Sequence, residues 1–585
     1  MSVIQLDQLE RALRYDPFDF SDRAFYRFLK ESYAEENELV FAAAALCLSA
    51  AREGHSFLNL ANPELPDPIS EVLQNDWPSP SEWETIAECS PSIGRPGDNS
   101  PLILGDESAL YLYRYFSYED DLAKSVFVKA GQPKISAAAS TDTLPISDRK
   151  QTEAVKKALE NRFYLISGGP GTGKTTTVLA YLVSCIQSTE SPESLRFAVA
   201  APTGKAAAKV SSSIKDGLAR FELEDSIANA ILSIPCQTIH RLLESIPRKT
   251  SFRRNQKRPI DYDVLVVDES SMIDLPLMKK LMDAVPDDCS IVLLGDDNQL
   301  SSVEVGSVFS DLVRSTSNNQ NPLFGKSTHL EKTFRFKPDS SIHRICLAFR
   351  NGESHTFKKI LNENQNDFLF HPMKPTASPN LSPILNLVVE AYSLRAKSAN
   401  LAQAYSLLSQ FIVLSPLNHG PYGANAINRI SEERIRRQQN LPSGVFYSGQ
   451  PILVLENNYD LGLFNGDLGI IWPDDSGELF AWFNNSEGTF QKVRTTWLPR
   501  HSTAHCLTIH KSQGSEFEHV AGVFSPEHSE FVTRELIYTC VSRAKSKITL
   551  FGNVDALCSA IDRRVNRATR LEARIAQQAH DTQSR

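Results

Sequence analysis

The segment FYLISGGPGTGKTTTVLAYLVSCIQ, residues 163–187, is the most informative part of the sequence for the fold. An apolar run opens the segment, a glycine-rich turn follows, and a helical pattern closes it. The turn matches the phosphate-binding pattern G-x-x-x-x-G-K-[ST] at Gly168, Gly169, Pro170, Gly171, Thr172, Gly173, Lys174 and Thr175. Because the match lies between a predicted strand and a predicted helix, an ordinary glycine-rich turn is the weaker interpretation. The sequence therefore predicts a parallel α/β domain with a nucleotide phosphate site.

Each residue type in this turn has a chemical reason. Glycines allow consecutive backbone N–H groups to face phosphate oxygens at a helix N-terminus, where the helix dipole favours anions. We expect Lys174 to reach the β- and γ-phosphates and the Thr175 hydroxyl to ligate Mg²⁺, with Thr176 beside it in the nucleotide site. The expected ligands of this turn are therefore a nucleoside triphosphate and Mg²⁺.

Two further strands end in residues suited to nucleotide hydrolysis. The strand DVLVVDES, residues 263–270, ends in Asp268 and Glu269. An Asp at this position can hold Mg²⁺, directly or through water, and an adjacent Glu can polarise the attacking water. The next strand, SIVLLGDDNQLSSV at 290–303, leads to Gln299, whose amide can sense a γ-phosphate. Together with Lys174, these residues predict an NTP hydrolase.

Along the rest of the chain, short apolar strands alternate with helical segments, which is typical of parallel sheets with crossover helices. A second set of such strands runs from FIVLSPLN to ITLFG and predicts a second sheet. At 445–500, apolar runs joined by Gly, Asn and Asp turns predict hairpins and hence a small inserted β-barrel. The small, polar stretch at 131–148 predicts a linker, and the Arg-rich tail at 562–585 predicts a solvated, fraying helix.

These patterns predict three domains: a mainly helical one at 1–140, an α/β domain at 141–337 with a hairpin insertion near 245–261, and an α/β domain at 338–585 with the barrel near 440–500. Residues 1–140 carry 11 Lys and Arg against 23 Asp and Glu, whereas the remainder carries 50 against 47. A nucleic-acid surface is therefore expected after residue 140. The acidic domain is either a docking domain for a protein partner or simply a solvated domain.

Composition excludes several classes of protein. The chain has 585 residues, of which 41% are hydrophobic and 22% charged, as in globular proteins with a sizeable core. Its longest apolar stretch, at 39–51, has 13 residues, whereas a bilayer span needs about 20. No secretory signal is visible, and the nine cysteines include no C-x-x-C pair, which disfavours a disulfide framework or a zinc ribbon. We expect a soluble, cytoplasmic protein with no membrane partner.

The order of short motifs along the chain resembles that of superfamily one helicases. The motifs are GGPGTGKTTT, APTGKAA, TIHRLL, VVDESSM, GDDNQLSSV, TFRF, TIHKSQGSEF and YTCVSRAK. More narrowly, the chain resembles the RecD family, the α subunits of the bacterial RecBCD enzyme (exodeoxyribonuclease V). This likeness includes FAAAALCLSAAREGH at 41–55, PLNHGPYGANAIN at 416–428 and LFNGDLGI at 463–470. It implies two RecA-like domains that bind ATP in their cleft and single-stranded DNA across both domains.

The resemblance implies further roles around the nucleotide. Gln151 lies where the family places an adenine-reading glutamine, and a side-chain amide can pair with adenine. Arg335 in TFRF and Arg543 in YTCVSRAK resemble the two arginines that the second domain brings to the γ-phosphate. Such an arginine finger supplies about 10³–10⁵ in rate. Surface ion pairs are the alternative role for either arginine.

The resemblance also implies DNA contacts in both domains. The implied residues have small hydroxyl, amide, imidazole or cationic side chains suited to phosphate and sugar contacts: Thr203, Lys205, Thr238, His240, Thr508, His510, Lys511, Ser512 and Gln513. The basic run RKTSFRRNQKR at 248–258 lies where the family has a small hairpin sub-domain near the duplex junction. A solvated loop remains the alternative for this run.

The resemblance implies an ATP-dependent DNA helicase subunit that moves 5′→3′ and processes double-strand breaks for recombinational repair. The implied partners are RecB and RecC, which the acidic domain would help to bind, and single-stranded DNA at duplex ends. We find no constellation that could be a nuclease site, so exonuclease V activity would belong only to the complex. Two alternatives remain open: a stand-alone DNA or RNA helicase, and a structural or regulatory subunit whose ATPase is dispensable.

Overall fold

The computed structural model describes residues 6–73, 77–132, 145–146, 148–189, 195–363, 365–374, 380–442, 444, 446–458, 460–484 and 489–583. Most of the linker predicted at 131–148 and four residues of the β-rich insertion, 485–488, lie outside the described residues. The described chain contains one small mixed sheet, two parallel sheets and one antiparallel sheet. The predicted α/β architecture is therefore confirmed.

The N-terminal region combines helices with a small sheet. Its helices are α1 (Leu6–Ala12), α2 (Phe20–Tyr33), α3 (Glu38–Arg52), α4 (Asp67–Leu73), α5 (Pro80–Cys89) and α6 (Tyr113–Gly131). Its strands, in the sheet order β1-β4-β3-β2, are β1 (Leu58–Asn59), β2 (Ile93–Gly94), β3 (Leu102–Leu104) and β4 (Ala109–Leu112). The apolar run at 39–51 forms α3, where Asn37 accepts a hydrogen bond from the Leu39 N–H and begins the helix. Because α3 is apolar around most of its circumference, it packs in the core of this region.

The first α/β domain is a six-stranded parallel sheet in the order β10-β5-β9-β8-β6-β7. Its strands are β5 (Phe163–Gly168), β6 (Phe197–Ala201), β7 (Cys236–Thr238), β8 (Val264–Val267), β9 (Ser290–Gly295) and β10 (Ser327–Leu330). Its helices are α7 (Arg149–Glu160), α8 (Lys174–Gln187), α9 (Gly204–Leu218), α10 (Asp225–Leu232), α11 (Ile239–Leu242), α12 (Leu275–Ala284) and α13 (Val308–Ser315). Strand β5 has a neighbour on each side, so the glycine-rich turn leaves from the interior of the sheet.

The second α/β domain is a five-stranded parallel sheet in the order β11-β20-β19-β12-β18. These strands are β11 (Phe368–Pro372), β12 (Phe411–Ser415), β18 (Cys506–Thr508), β19 (Phe517–Val523) and β20 (Ala544–Gly552). The accompanying helices are α14 (Ser341–Asn351), α15 (Ser354–Leu361), α16 (Ser382–Ala396), α17 (Leu401–Ser406), α18 (Ala424–Gln439), α19 (Arg534–Val541) and α20 (Val554–Asp562). The last helix, α21 (Leu571–Gln583), packs against α6 and α13 instead.

The insertion between β12 and β18 is a sheet and not the predicted β-barrel. Its strands are β13 (Pro451–Val454), β14 (Leu468–Pro473), β15 (Leu479–Asn484), β16 (Phe490–Arg494) and β17 (His501–Thr503). They pair antiparallel in the order β16-β15-β14-β13-β17, and among the described residues no pairing joins the edge strands β16 and β17. Closure would need β17 to pair on both edges, but β17 has only three residues and leads after two more into β18 of the parallel sheet.

Two basic segments differ from their predicted forms. The hairpin predicted near 245–261 contains two isolated antiparallel bridges, Ser245 with Phe252 and Asn255 with Arg258, in place of paired strands. In the tail predicted to be solvated at 562–585, residues 562–566 are exposed, but residues 567–570 and one face of α21 pack against the protein. Leu571 and Ile575 of α21 are 1% and 0% exposed and join the core of the N-terminal region.

Among the described residues, no helix combines the length and apolar character that a membrane crossing requires.

Candidate nucleotide site and strand-binding track

The glycine-rich turn between β5 and α8 is already shaped for phosphate. Gly171 and Gly173 have φ angles of 74° and 80°, a region that glycine adopts without steric cost. The Lys174 Nζ donates to the carbonyl oxygens of Gly168, over 2.6 Å, and Gly169, over 3.1 Å. The lysine therefore folds back over the turn, where the predicted phosphates would lie. Thr175 and Thr176 follow it in the first turn of α8 and are partly exposed.

The acidic pair predicted at the end of β8 lies within electrostatic reach of this lysine. Burial and, to a smaller extent, the neighbouring Glu269 raise the pKa of Asp268 to about 6, although Lys174 opposes the shift. A raised pKa means that the negative charge of the carboxylate is not fully compensated by its surroundings. A bound cation would supply the missing positive charge. Asp268 and Thr175 together offer a carboxylate and a hydroxyl oxygen, the hard oxygen donors that Mg²⁺ prefers. These two residues therefore fit the predicted metal site.

Gln299 belongs to a chain of hydrogen bonds that connects the two parallel sheets. Its Nε2 donates to Asp296 Oδ2 over 2.8 Å, and the Tyr538 hydroxyl donates to the same oxygen over 3.0 Å. On its other side, Gln299 Oε1 accepts from Arg543 Nη2 over 2.8 Å. Asp296 and Gln299 follow β9 of the first sheet, whereas Tyr538 and Arg543 precede β20 of the second. The structure thus joins the predicted sensor and the predicted arginine across the cleft.

Arg335 lies directly against the phosphate-binding turn. It sits in the connection between β10 and α14, where the Phe334 N–H donates to the Gly171 carbonyl over 2.7 Å. An ideal Cβ on Gly171 would lie 3.2 Å from the Arg335 backbone nitrogen and would overlap the Arg335 Cβ. The Arg335 guanidinium pairs with Glu516 Oε1 over 2.7 Å and donates to the Ser542 carbonyl over 3.2 Å. The structure therefore places Arg335 at the turn, in an ion pair with the second domain.

Gln151 is close to the turn, but its amide nitrogen is already bonded. The Nε2 donates to the Thr172 carbonyl over 3.0 Å, and the side chain is buried. Beside it, Phe334 is 51% exposed, and its ring lies 3.6 Å from the position of an ideal Cβ on Gly173. An exposed aromatic ring beside Gln151 offers a face on which a nucleotide base could stack. Lys332 covers part of this ring, with Nζ 5.1 Å from its centroid.

Four further residues complete this arrangement: Asp296, which follows the strand before Gln299, and three that the sequence does not single out, Phe334, Glu516 and Tyr538. Each lies inside a motif that the sequence displays, so position alone was an available signal. Glu516 pairs with both Arg335 and Lys209, and these cations outweigh burial and lower its pKa to about 2. Glu516 therefore carries a negative charge that holds cationic side chains from α9 and from the connection before α14.

The first-domain residues predicted to touch DNA lie at helix starts. Thr203 accepts from the Ala206 N–H over 3.2 Å and begins α9, and Thr238 accepts from the Arg241 N–H over 3.1 Å and begins α11. Each hydroxyl keeps its proton available for a phosphate oxygen. Burial lowers the pKa of Lys205 to about 8. His240 packs its ring against Phe252 of the basic run, with centroids 5.6 Å apart.

The second-domain residues divide into exposed and buried members. Lys511 is exposed, and the Gln513 Nε2 donates to the Leu300 carbonyl of the first domain over 3.1 Å. Thr508 is 5% exposed and accepts from the Lys511 N–H, and burial lowers the pKa of the partly exposed His510. Ser512 is fully buried and donates to the Ile509 carbonyl, so the structure does not bring its hydroxyl to the surface. Its hydroxyl stabilises the turn that presents the others.

Comparison with known protein families finds three matching segments. The family model described as the RecBCD enzyme subunit RecD, N-terminal domain, matches residues 18–111. The AAA domain matches residues 151–305, and the UvrD-like helicase C-terminal domain matches residues 503–551. These segments include the N-terminal helices, the phosphate-binding turn and the Arg543 segment.

Curated relatives match over most of the chain. The RecBCD enzyme subunit RecD of Mycobacterium tuberculosis is 31% identical over 95% of this chain and 95% of its own length. The corresponding subunit of Haemophilus influenzae is 31% identical over 72% of this chain and 71% of its own. The ATP-dependent RecD2 DNA helicase of Deinococcus radiodurans is 25% identical over 91% of this chain and 68% of its own.

Proposed function

The chain belongs to the family of the RecBCD enzyme subunit RecD, and from this premise we propose that it is an ATP-dependent DNA helicase subunit that translocates 5′→3′ along single-stranded DNA. In a RecBCD-like helicase–nuclease, this activity would open duplex ends during the repair of double-strand breaks. Family membership supports the helicase activity, and the polarity is our proposal from the resemblance.

The bond between Arg543 and Gln299 is the single observation that carries the mechanism. It links the end of β9 to the start of β20 across the cleft beside the phosphate-binding turn. A γ-phosphate in this cleft would meet Gln299 from one sheet and Arg543 from the other. ATP binding would therefore draw the two sheets together, and loss of the γ-phosphate would release them.

Several side chains must change partners when ATP binds. Lys174 leaves the carbonyls of Gly168 and Gly169 for phosphate oxygens, and Arg335 leaves Glu516 for the γ-phosphate. Glu269 would orient the attacking water and accept its proton. Mg²⁺, held by Asp268 and the Thr175 hydroxyl, would neutralise charge on the phosphates. Arginine contacts to the γ-phosphate accelerate hydrolysis by about 10³–10⁵-fold. Because these contacts form only when the cleft is closed, hydrolysis would depend on closure.

We propose that DNA crosses both parallel sheets at the edge where the motif residues gather. The first domain would contribute Thr203, Lys205, Thr238 and His240, and the second Thr508, His510, Lys511 and Gln513. These side chains suit phosphate and sugar contacts, which hold a strand without reading its sequence. Alternating closure and opening of the cleft would shift the grip from one sheet to the other and move the protein along the strand.

We propose RecB-type and RecC-type subunits as the partners, with the acidic N-terminal region contributing to that docking. The net negative charge of residues 1–140 disfavours a DNA role for that region and leaves it available for protein contacts. The DNA substrate implies action in the cytoplasm. The boundaries 1–140, 141–337 and 338–585 are our proposed domain limits.

Unwinding by the reconstituted complex tests this proposal. Duplexes with a 5′ or a 3′ single-stranded DNA tail are compared in complexes that carry the wild-type chain, Lys174→Gln or the exposed control Lys545→Ala. We expect Lys174→Gln to remove the unwinding that depends on a 5′ tail, and Lys545→Ala to retain it. Unchanged unwinding with Lys174→Gln would indicate a structural subunit, and selective loss on 3′ tails would reverse the polarity. Equal use of RNA tails would favour an RNA helicase.

A further inference from the structure

The chain beyond α20 returns to the N-terminal region, and we call residues 563–583 the C-terminal strap. Its helix α21 buries Leu571 and Ile575 in the core of that region. Arg574 Nε donates to Glu119 Oε2 over 3.1 Å, and its guanidinium carbon lies 4.3 Å from the centroid of the Phe116 ring. The C-terminal half of the strap is therefore held by apolar packing, an ion pair and a cation–π contact.

The N-terminal half of the strap holds the loop that carries Gln299. We call residues 296–306, which follow β9, the sensor loop. Arg567 donates from Nη2 to the Ser302 carbonyl over 2.6 Å, and from Nη1 to the carbonyls of Gly306, over 2.7 Å, and Glu304, over 2.9 Å. The planar guanidinium fork matches these convergent acceptors. One side chain thereby fixes three backbone positions at the far end of the sensor loop.

These hydrogen bonds matter for stability because the charged guanidinium of Arg567 is largely removed from water. Burial lowers the pKa of Arg567, and the charge of Asp311 only partly opposes this effect. A charge removed from water is costly unless its donors are bonded, and the three carbonyls that accept from the two Nη atoms belong to the sensor loop. The Nε of Arg567 is buried and has no hydrogen-bond partner among the described residues, so these three bonds are its main compensation. The loop and the arginine therefore stabilise each other's position.

The N-terminal region meets the strap and the sensor loop at the same point. The Gly306 N–H donates to the Gly54 carbonyl over 2.9 Å, and the Ser56 N–H donates to the Ala568 carbonyl over 2.8 Å. An ideal Cβ on Gly54 would lie 2.6 Å from the Arg567 guanidinium carbon. Gly54 therefore packs closely against the guanidinium, which limits its movement.

The near end of the sensor loop contacts both the nucleotide site and the strand track. Gln299 bonds to Arg543, as described above, and the Leu300 N–H donates to Thr539 Oγ1 over 3.0 Å. The Leu300 carbonyl accepts from Gln513, a residue of the proposed track. The loop therefore extends from the γ-phosphate sensor, past the track, to Arg567.

We propose that Arg567 is a positioning residue that holds the sensor loop in register, so that strand binding and nucleotide hydrolysis remain coupled. Arg567 acts through the backbone of the sensor loop, to which its guanidinium is bonded. The proposal rests on the proposed function, since it assigns to Arg567 the coupling of the same ATP and DNA sites. Without the guanidinium, the loop would lose its far anchor, and DNA on the track would no longer set the orientation of Gln299.

The test compares Arg567→Ala, Arg567→Lys and the matched control Arg570→Ala in the full chain assembled with its partner subunits. Arg570 lies on the same strap but pairs with Glu107 of the N-terminal region over 3.2 Å, away from the sensor loop. The readouts are the ratio of DNA-stimulated to DNA-free ATP hydrolysis and the affinity for a fluorescent ATP analogue. For Arg567→Ala we expect this ratio to fall by about 10- to 100-fold, because the reacting groups would be misplaced, while the affinity for the ATP analogue stays at the wild-type value. Arg567→Lys should restore part of the ratio, and Arg570→Ala should match the wild type.

Hydrogen exchange at residues 299–306 provides a second measurement, which does not depend on the folding of Arg567→Ala. We expect these amides to exchange faster in Arg567→Lys than in Arg570→Ala. A wild-type ratio in Arg567→Ala, an equal loss in Arg570→Ala, or unchanged exchange in Arg567→Lys would overturn the inference. Absence of DNA stimulation in the wild-type complex would instead overturn the proposed function, and the exchange measurement would still decide whether Arg567 holds the loop.

Discussion

A double-mutant cycle between Arg543 and Gln299 tests whether the bond across the cleft operates in the working enzyme. The two side chains are 3% and 6% exposed and are joined by a 2.8 Å hydrogen bond from a charged donor. The perturbations are Arg543→Ala, Gln299→Ala and the double variant. Each single variant removes the same bond, so the cycle isolates its contribution to the transition state.

The structure sets the expected magnitude. A buried hydrogen bond to a charged group contributes about 1.5–3 kcal/mol. At about 1.36 kcal/mol for each tenfold change in rate, this corresponds to a coupling of about 10- to 150-fold in kcat. Arg543→Ala also removes the charge that we assign to the γ-phosphate, for which about 10³–10⁵ in rate is expected. Since Gln299 loses its guanidinium partner in that variant, the double variant should be no slower than Arg543→Ala alone.

The assay is kcat for ATP hydrolysis at saturating single-stranded DNA, with thermal melting to establish that each variant is folded. Lys545→Ala is the matched control, because Lys545 lies two residues from Arg543, is exposed, and makes only a 3.8 Å ion pair with Glu518. We expect it to retain wild-type kcat. If the two single effects add to within about 0.5 kcal/mol in the double variant, the bond between Arg543 and Gln299 plays no part in catalysis.

Three further predictions follow from the site. Gly171→Ala should lower kcat by about 100-fold or more, because the added Cβ would displace the Arg335 segment. Gly477→Ala is the control for backbone strain alone, since Gly477 has a φ of 85° and no atom lies within 4 Å of its added Cβ. Equal losses of kcat in the two variants would contradict a specific effect on Arg335. Burial lowers the pKa of Lys205 to about 8, so its amine loses charge as pH rises through 8. The affinity for single-stranded DNA, measured by fluorescence anisotropy, should therefore fall up to about tenfold between pH 7 and 9. Lys205→Arg should abolish this pH dependence, because arginine keeps its charge over that range. A wild-type affinity that does not change between pH 7 and 9 would contradict the prediction. Glu269→Gln should slow single-turnover hydrolysis by about 10²–10⁴-fold with ATP binding retained, and a wild-type rate would assign the base elsewhere.

Local patterns were sufficient to predict the parallel sheets and the phosphate-binding turn. The glycines at 171 and 173 take positive φ angles, and Lys174 begins α8, as the spacing of the motif requires. Such features depend on residues that are close in sequence. The identity of the strands β5, β8 and β9 follows from the same short-range information, because each is an apolar run that ends at a motif.

The features that were missed depend on residues far apart in sequence. Closure of the predicted barrel depended on whether β16 and β17 pair, which no local pattern of hairpins determines. The tail was predicted to be solvated because its arginines dominate its composition. Arg567 and Arg574 instead face acceptors more than 250 residues away, and the spacing of Leu571 and Ile575 on one helix face was the only local signal.

The contacts between the two sheets are likewise not predictable from the individual motifs. The Tyr538 hydroxyl meets Asp296 across 242 residues of sequence, and both positions lie in motifs that were interpreted separately. The placement of Ser512 is a smaller example of the same limit. Its motif predicts a phosphate contact, but whether a hydroxyl faces the strand or its own turn depends on tertiary packing.

ATP hydrolysis with and without single-stranded DNA tests the central claim most directly. The wild-type chain and Lys174→Gln are measured alone and after assembly with RecB- and RecC-type subunits. We expect DNA to stimulate hydrolysis by the wild-type chain strongly in at least the assembled form, and Lys174→Gln to remove the stimulated activity of this subunit. Hydrolysis that DNA does not stimulate in either preparation, or stimulation that Lys174→Gln leaves unchanged, would contradict the assignment of this chain as a DNA motor.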